Sequence, residues 1–241
     1  RDGDKLGFPV FPLAYTNEET GEVSRGYRED GYFPEAVVNM LALLGWNPGT
    51  EQELFSLEEL SKTFTLSRVS KGGAKFSPDK TKWFNQQYIV KNSNAVLAES
   101  FIELLQTKWI DGDLGYITNV VDLIKERAVF VHDFWELGNY FFESPLQYDE
   151  KASRKQWKEE TPELMKEVIE ILAAISEFKS VIIEEKIKAF ITGKGVGFGK
   201  VMQPFRLSLV GAMKGPHLFD IAAMIGKKET IARIERAIDT L

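Results

Sequence analysis

Cysteine is absent from the 241 residues, and histidine is nearly so, with only His132 and His217. Without thiols there are no disulfides, no thiolate metal sites and no cysteine nucleophile, and two isolated imidazoles leave little for Ser-His-Asp chemistry or a histidine-rich metal centre. Long apolar runs are missing too: none approaches the roughly 18 residues that would read as a membrane span. The opening Arg1-Asp2-Gly3-Asp4-Lys5 has no apolar core of a secretory signal. A cytoplasmic protein with no membrane partner is the expectation. The chain begins without methionine, in a stretch that reads as loop, so a piece of a longer protein is expected.

What is present suffices for a packed core: 44% apolar residues, 12% aromatic and 27% charged, which excludes a disordered or collagen-like chain. The net charge of −6 argues at first against a nucleic-acid partner, because binding a phosphate backbone is driven by Lys and Arg displacing counterions. The average hides an asymmetry. Residues 1–185 carry 20 basic and 32 acidic side chains, a balance of −12, whereas residues 186–241 carry 10 and 4, a balance of +6. The last quarter is a basic module.

Residues 7–15 hold two prolines among aromatic and β-branched residues. Asn17-Glu18-Glu19-Thr20-Gly21 then supplies a turn before Glu22-Val23-Ser24, predicting a short edge hairpin. Everything after it reads as helix. Pro34 suits a first helical position, residues 36–44 are almost entirely apolar, and Gly45 stands where a left-handed cap belongs, predicting a helix buried on most sides. Ser56-Leu57-Glu58-Glu59 is a capping box opening a short helix toward Phe64. Helices are also predicted over about 79–90, over 95–109 with Leu97, Phe101, Leu104, Leu105 and Trp109 as its apolar repeat, and across Ile117, Val120, Val121 and Ile124. Glu143-Ser144-Pro145 and the polar run 148–160 put the main boundary near residue 145. Beyond it, Thr161 and Pro162 read as N-cap and first helical residue, with Leu164, Val168, Ile171, Leu172 and Ile175 on one face. Ser180 starts a helix ending at Gly193, and three short helical units follow, parted at 211–215 and at Gly226. The predicted fold class is all-α with one small β-hairpin near the N-terminus.

Gly193-Lys194-Gly195-Val196-Gly197-Phe198-Gly199-Lys200 invites a phosphate-loop reading but fails both templates. The Walker pattern needs glycine at Lys194 and Ser or Thr at Val201, and the dinucleotide pattern needs glycine at Phe198 or Lys200 after a strand. Asp111-Gly112-Asp113 lacks the ligand series of a calcium loop and reads as a turn. His132 and Asp133, adjacent on a helix, point in different directions and read as structural. The carboxylates offer no acid and base pair. Gln203-Pro204-Phe205-Arg206 places one arginine in the first turns of an otherwise apolar helix, and Lys214-Gly215-Pro216-His217-Leu218 opens the next helix, with backbone donors near that arginine. Two readings stand side by side here: ordinary helix-start residues of a small bundle, or a pocket for unstacked RNA bases. A helical protein-interaction module without RNA binding is the alternative from another class.

Four blocks span nearly the whole chain: Gly31-Tyr32-Phe33-Pro34-Glu35-Ala36-Val37-Val38-Asn39 running into Leu43-Leu44-Gly45-Trp46; residues 56–69 followed by Lys71, Phe76, Lys80, Trp83 and Asn85; Gln203-Pro204-Phe205-Arg206 through Gly211, Gly215-Pro216 and Leu218; and Gly226-Lys227-Lys228-Glu229 to Arg233. On these blocks the chain resembles the C-terminal portion of the bacterial glutamyl-tRNA synthetases. The resemblance implies a helical stem-contact region over 1–70, closing the catalytic half, a first helical anticodon-binding subdomain over 71–145 and a second over 146–241.

It also implies that Arg1 is the last residue of the family's KLSKR motif and that this chain carries no catalytic residue and is inactive alone. The complete ligase would attach glutamate to tRNA(Glu) with ATP and magnesium; no cofactor or metal is expected within this chain, nor DNA as a partner, and the protein is expected to be a monomer. Carried over residue by residue, Arg206 faces an anticodon base, Gly215, Pro216 and Leu218 form the adjoining wall, and Gln203 belongs to the same site. Asn119 falls where the family tunes anticodon discrimination, often with an arginine. Lys71, Lys80 and Lys82, with Lys194 and Lys200, are assigned to the tRNA backbone. The chain departs from the family's pattern at Asp2, where histidine is more usual, at the extra hairpin over 8–25, and at Val210, where threonine is common.

Overall fold

The computed structural model describes residues 3, 5 and 7–241; Arg1, assigned above to the KLSKR motif, lies outside the described residues. The chain packs as two units, residues 1–134 and 135–241.

The first unit begins with the predicted hairpin. Strands β1 (Tyr15–Thr16) and β2 (Val23–Ser24) pair antiparallel, Tyr15 opposite Ser24 and Thr16 opposite Val23. Asn17 shapes the turn by accepting the Glu19 N–H at 2.9 Å and the Thr20 N–H at 3.2 Å through its side-chain oxygen. Helix α1 (Pro34–Leu43) packs Ala36 and Met40 against Tyr27, Tyr32 and Phe84. It is not buried on most sides as expected: Val38 and Leu41 are exposed, because α2 (Leu57–Thr63) and α3 (Pro78–Lys91) are the helices packed against it and leave that face uncovered. Gly45 is not left-handed either. Its carbonyl accepts the Ser70 N–H at 2.7 Å and Trp46 bridges Val69 antiparallel, so the chain leaves α1 extended instead of reversing over a glycine cap.

Two asparagines of the matching blocks prove to be internal staples. Asn39 is fully buried, donates to the Glu53 carbonyl at 2.9 Å and accepts the Phe55 N–H at 2.8 Å. Asn85 accepts the Phe33 N–H at 2.8 Å and donates to the Val129 carbonyl at 2.6 Å. Each thereby ties a loop to a helix with groups that would be costly to bury unpaired. The capping box opening α2 is present as expected, Ser56 Oγ accepting the Glu59 N–H at 3.1 Å and Glu59 the Ser56 N–H at 2.7 Å.

Helices α4 (Asn94–Gln106) and α5 (Leu114–Ile124) pack together through Leu97, Phe101, Leu105, Ile117, Val120, Val121 and Ile124, all buried. Trp109 departs from the expectation. The helix ends before it, and the Ile110 N–H returns to the Leu105 carbonyl at 3.1 Å. That closure needs a left-handed residue; Trp109 supplies it at φ 61° and stands 95% exposed. Asp113 caps α5 by accepting the Tyr116 N–H at 2.9 Å, so the Asp111-Gly112-Asp113 turn serves a helix start. Helix α6 (Asp133–Gly138) follows.

In the second unit a 3-10 turn (Asn139–Phe141) precedes α7 (Glu150–Gln156), which forms within the polar run because Asp149 caps it. Helix α8 (Thr161–Ala174) includes Thr161 instead of being capped by it: Thr161 is buried, and its hydroxyl accepts the Lys158 N–H at 2.8 Å, facing backward into the preceding turn. Helix α9 (Ser180–Lys194) runs through Gly193 and ends on Gly195, which is left-handed at φ 66°. Gly197 then caps α10 (Phe198–Val210), so the glycine-rich stretch is a helix end, a short turn and a helix start. Helix α10 is the centre of the unit, packed against α7, α8, α9, α11 (Leu218–Ile225) and α12 (Lys227–Thr240). Its Val201, Phe205, Leu207 and Leu209 are fully buried, and that burial offsets the single backbone donor that Pro204 lacks inside the helix.

Candidate nucleic-acid interface

Arg206 does not stand in the first turns of its helix, as the sequence suggested, but in the last turns of α10. The reason is that α10 begins at Phe198 and runs through Pro204. The helix ends at Gly211, left-handed at φ 75°, and residues 211–217 return the chain to α11. Arg206 is half-buried against this loop. Its Nη1 donates to the Lys214 carbonyl at 3.0 Å and to the Pro216 carbonyl at 2.9 Å. The guanidinium thus meets carbonyls of the loop that leads into the next helix; α11 itself begins at Leu218, after His217 as N-cap.

The loop is held from further directions. Lys214 Nζ donates to the Glu136 carbonyl at 2.9 Å, and the Gly211 carbonyl accepts the Asp149 N–H at 2.8 Å. Gly215, at φ 102°, lies so close to the Tyr140 ring that a Cβ there would stand 2.8 Å from the phenol oxygen. His217 is exposed, with Nδ1 3.6 Å from Asp220 and Nε2 3.8 Å from Glu184. The Glu184 carboxyl is held below the ordinary range, chiefly by a hydrogen bond from Lys188.

The structure brings Arg206, Gly215 and Pro216 together. Leu218 follows directly but is buried, anchoring α11 more than lining a surface. Gln203 is half-buried on α10, and Asn119 is exposed on α5 in the other unit. The lysines divide. Lys80 pairs with Glu53 at 2.5 Å, Lys200 with Glu160 at 2.9 Å and Lys194 with Glu167, while Lys71 and Lys82 are exposed and form no ion pair among the described residues. His132 stacks on Phe130 with ring centroids 4.9 Å apart, and Asp133 accepts the Val129 and Phe130 N–H groups, the structural role read for this pair. Sequence reasoning gave no role to Tyr140, Glu229 or Arg233, which prove to support the loop from beneath; Arg233, 2% exposed, donates to the Leu209 and Tyr140 carbonyls. The signal available was an arginine at a helical position whose neighbours Ile234 and Ala237 are core.

Among the described residues no group of three or more His, Asp or Glu could hold a metal ion, and no helix is long and apolar enough to cross a membrane.

The family described as the anticodon binding domain matches residues 96–238, and that of the class I tRNA synthetases (E and Q), catalytic domain, matches residues 18–83. The glutamate–tRNA ligase of Flavobacterium johnsoniae is 61% identical over 241 residues, all of this chain and 48% of that protein, and that of Bacteroides fragilis is 47% identical over the same shares. A crystal structure of a glutamate tRNA ligase from Elizabethkingia meningosepticum in complex with its amino acid superposes with a TM-score of 0.96 at 49% identity, covering 100% of this chain and 48% of the other. The glutamate-tRNA synthetase from Elizabethkingia anophelis gives 0.91 at 48% identity, covering 100% and 47%. The chain thus spans about half the length of the curated relatives it matches. With the anticodon binding domain matching residues 96–238, more than half of its length, the chain belongs to the anticodon binding domain family, and along its whole length it is similar to about half the length of the glutamate–tRNA ligases.

Proposed function

We propose that this chain is the tRNA-holding and anticodon-reading portion of a glutamate–tRNA ligase, a cytoplasmic monomer whose complete form joins glutamate to tRNA(Glu) at the expense of ATP. Residues 1–70 contact the stem, and 71–145 and 146–241 form two helical anticodon-binding subdomains. The observation that carries the reading is the placement of Arg206. A guanidinium offers five donors in a rigid plane, and two loop carbonyls already hold this one at Nη1, so little side-chain freedom is lost when RNA binds. Arginine reads unstacked bases by hydrogen bonds to their edges and by stacking. Gly215, packed on the Tyr140 ring, and the buried Pro216 fix the backbone beside it, so the loop that holds the guanidinium is a firm wall. Gln203 on the same helix and Asn119 on α5 are further base contacts, and Leu218 fixes the wall from behind.

The basic final module supplies the attraction for phosphates. Lys71 and Lys82 contribute in full. Lys80, Lys194 and Lys200 must first exchange their carboxylates, so each adds less. ATP and magnesium are cofactors of the complete ligase. The described residues do not fit either group: the glycine-rich turn is a helix boundary without the phosphate-loop pattern, and among the described residues no carboxylate cluster stands ready for a cation.

The test is the affinity of this chain for a glutamate tRNA transcript and for the same transcript with its anticodon replaced, at two salt concentrations. Tighter binding of the native anticodon is expected, together with an affinity that falls with salt in proportion to the phosphates neutralised. Arg206→Ala should weaken binding by about 1–3 kcal/mol and erase most of the preference. Equal loss on both transcripts would make Arg206 a phosphate contact, and binding of neither would favour a protein-interaction module.

A further inference from the structure

We infer that Arg233 is a positioning residue for anticodon selection: it locks the end of α10 to the floor of the loop over residues 211–217 and so sets where Arg206 meets its two carbonyls. The inference rests on the reading of Arg206 given above.

Arg233 lies on α12 and is 2% exposed, an expensive place for a guanidinium when aliphatic residues would pack α12 as well. What the cation adds is direction. One nitrogen, Nη1, donates to the Leu209 carbonyl at 2.8 Å and to the Tyr140 carbonyl at 2.7 Å. Leu209 belongs to the last turn of α10, whose carbonyls have no partner within the helix, and it follows Arg206 by three residues. Tyr140 is the residue whose ring lies against Gly215, and its hydroxyl donates to the Leu137 carbonyl at 2.7 Å. A single buried group therefore spans the helix that carries Arg206 and the tyrosine that supports the loop carrying Arg206's acceptors. A shift between Leu209 and Tyr140 would move Arg206 relative to Lys214 and Pro216.

Glu229 completes the device. It accepts from Arg233 Nε at 2.8 Å and from Ser144 Oγ at 2.5 Å, tying α12 to the segment just after Tyr140. Burial alone would raise its pKa, but the hydrogen bonds from Ser144 and Arg233 outweigh it and hold the carboxyl below the ordinary range. Glu229 thus stays ionised as the counter-charge of Arg233.

The experiment measures, for this chain, the ratio of affinities for the native and anticodon-replaced glutamate tRNA transcripts in Arg233→Met, Arg233→Lys and Glu229→Gln, each with a salt series and a thermal melt. Loss of the two-carbonyl bridge in Arg233→Met should shrink the ratio by roughly 2- to 30-fold. Arg233→Lys should recover part of it, having charge but not the fork. The slope of affinity against salt should not change, because Arg233 is buried and meets no phosphate. Should Arg233→Met fail to fold, Glu229→Gln carries the test: it keeps the shape of the site, and a ratio equal to that of the unsubstituted chain would overturn the inference. Variants that melt early yet keep the full ratio would likewise reduce Arg233 to a structural residue. If the unsubstituted chain itself shows no preference, the reading of Arg206 fails and this inference falls with it; if it does, only the variants decide.

Discussion

Replacing Gly211 by alanine isolates the geometry on which the candidate site depends. Gly211 is left-handed at φ 75°, a conformation that costs an L-residue about 1–2 kcal/mol. Its surroundings add a second cost. A Cβ would stand 2.6 Å from the Gln147 carbonyl oxygen and 2.8 Å from Pro145 Cβ, and that backbone cannot retreat freely, because the Asp149 N–H donates to the Gly211 carbonyl at 2.8 Å. Overpacking of this kind costs about 1–3 kcal/mol, so Gly211→Ala should lose about 2–5 kcal/mol in all. Gly195 provides the control: it is left-handed at φ 66°, with nothing within 4 Å of an added Cβ. Gly195→Ala should therefore lose only the conformational part, about 1–2 kcal/mol. Urea denaturation followed by far-ultraviolet circular dichroism gives both values, provided the slopes agree. If Gly211→Ala costs no more than Gly195→Ala, the loop is not clamped as described, and the placement of Arg206 against it loses its foundation.

Three other outcomes are expected. Burial, aided by Tyr27 and Asp30 and opposed by Arg25, pushes the Tyr32 phenol up to about 12; the unfolded chain ionises first, so stability should hold below pH 10 and fall as pH rises from about 10 toward 12, and Tyr32→Phe should flatten that fall in denaturation series at about pH 9 and 11. Trp109→Gly should raise stability by about 0.5–1 kcal/mol, because an almost fully exposed side chain is lost while left-handed strain is relieved; a clear loss in the same denaturation assay would show that Trp109 packs on something. Lys82→Ala should lower the salt slope of tRNA binding by about 1, and Lys200→Ala, whose lysine already holds Glu160, by less; equal changes in a filter-binding titration would contradict the division of the lysines.

The elements that local signals control were legible. The hairpin around Asn17, the capping box at Ser56 and the breaks at Gly211 and Gly226 depend on side chains and backbones within a few residues of one another. Errors arose where a distant partner decided the outcome. Gly45 resembled a helix cap, but Ser70 and Val69 draw the chain out extended. Trp109 fitted an apolar period, yet the backbone closure of α4 forced it into the left-handed region and out of the core. Thr161 had the chemistry of an N-cap and turned instead toward Lys158. Arg206 stands out in the sequence as a lone arginine among apolar residues, but its position in the helix does not, because Pro204 normally marks a helix start and here lies inside one.

Composition, capping chemistry and hydrophobic period by themselves determined that this chain is helical, cysteine-free and basic at its end, because each is a property of neighbouring residues. The matching blocks carried its likeness to the glutamate–tRNA ligases. Only the tertiary structure decided which carbonyls Arg206 meets, that Asn39 and Asn85 are staples, that Lys80, Lys194 and Lys200 are already paired, and that Arg233 bridges Leu209 to Tyr140. Those contacts join residues far apart in the chain, and a buried polar group takes whichever partner the packing brings within reach.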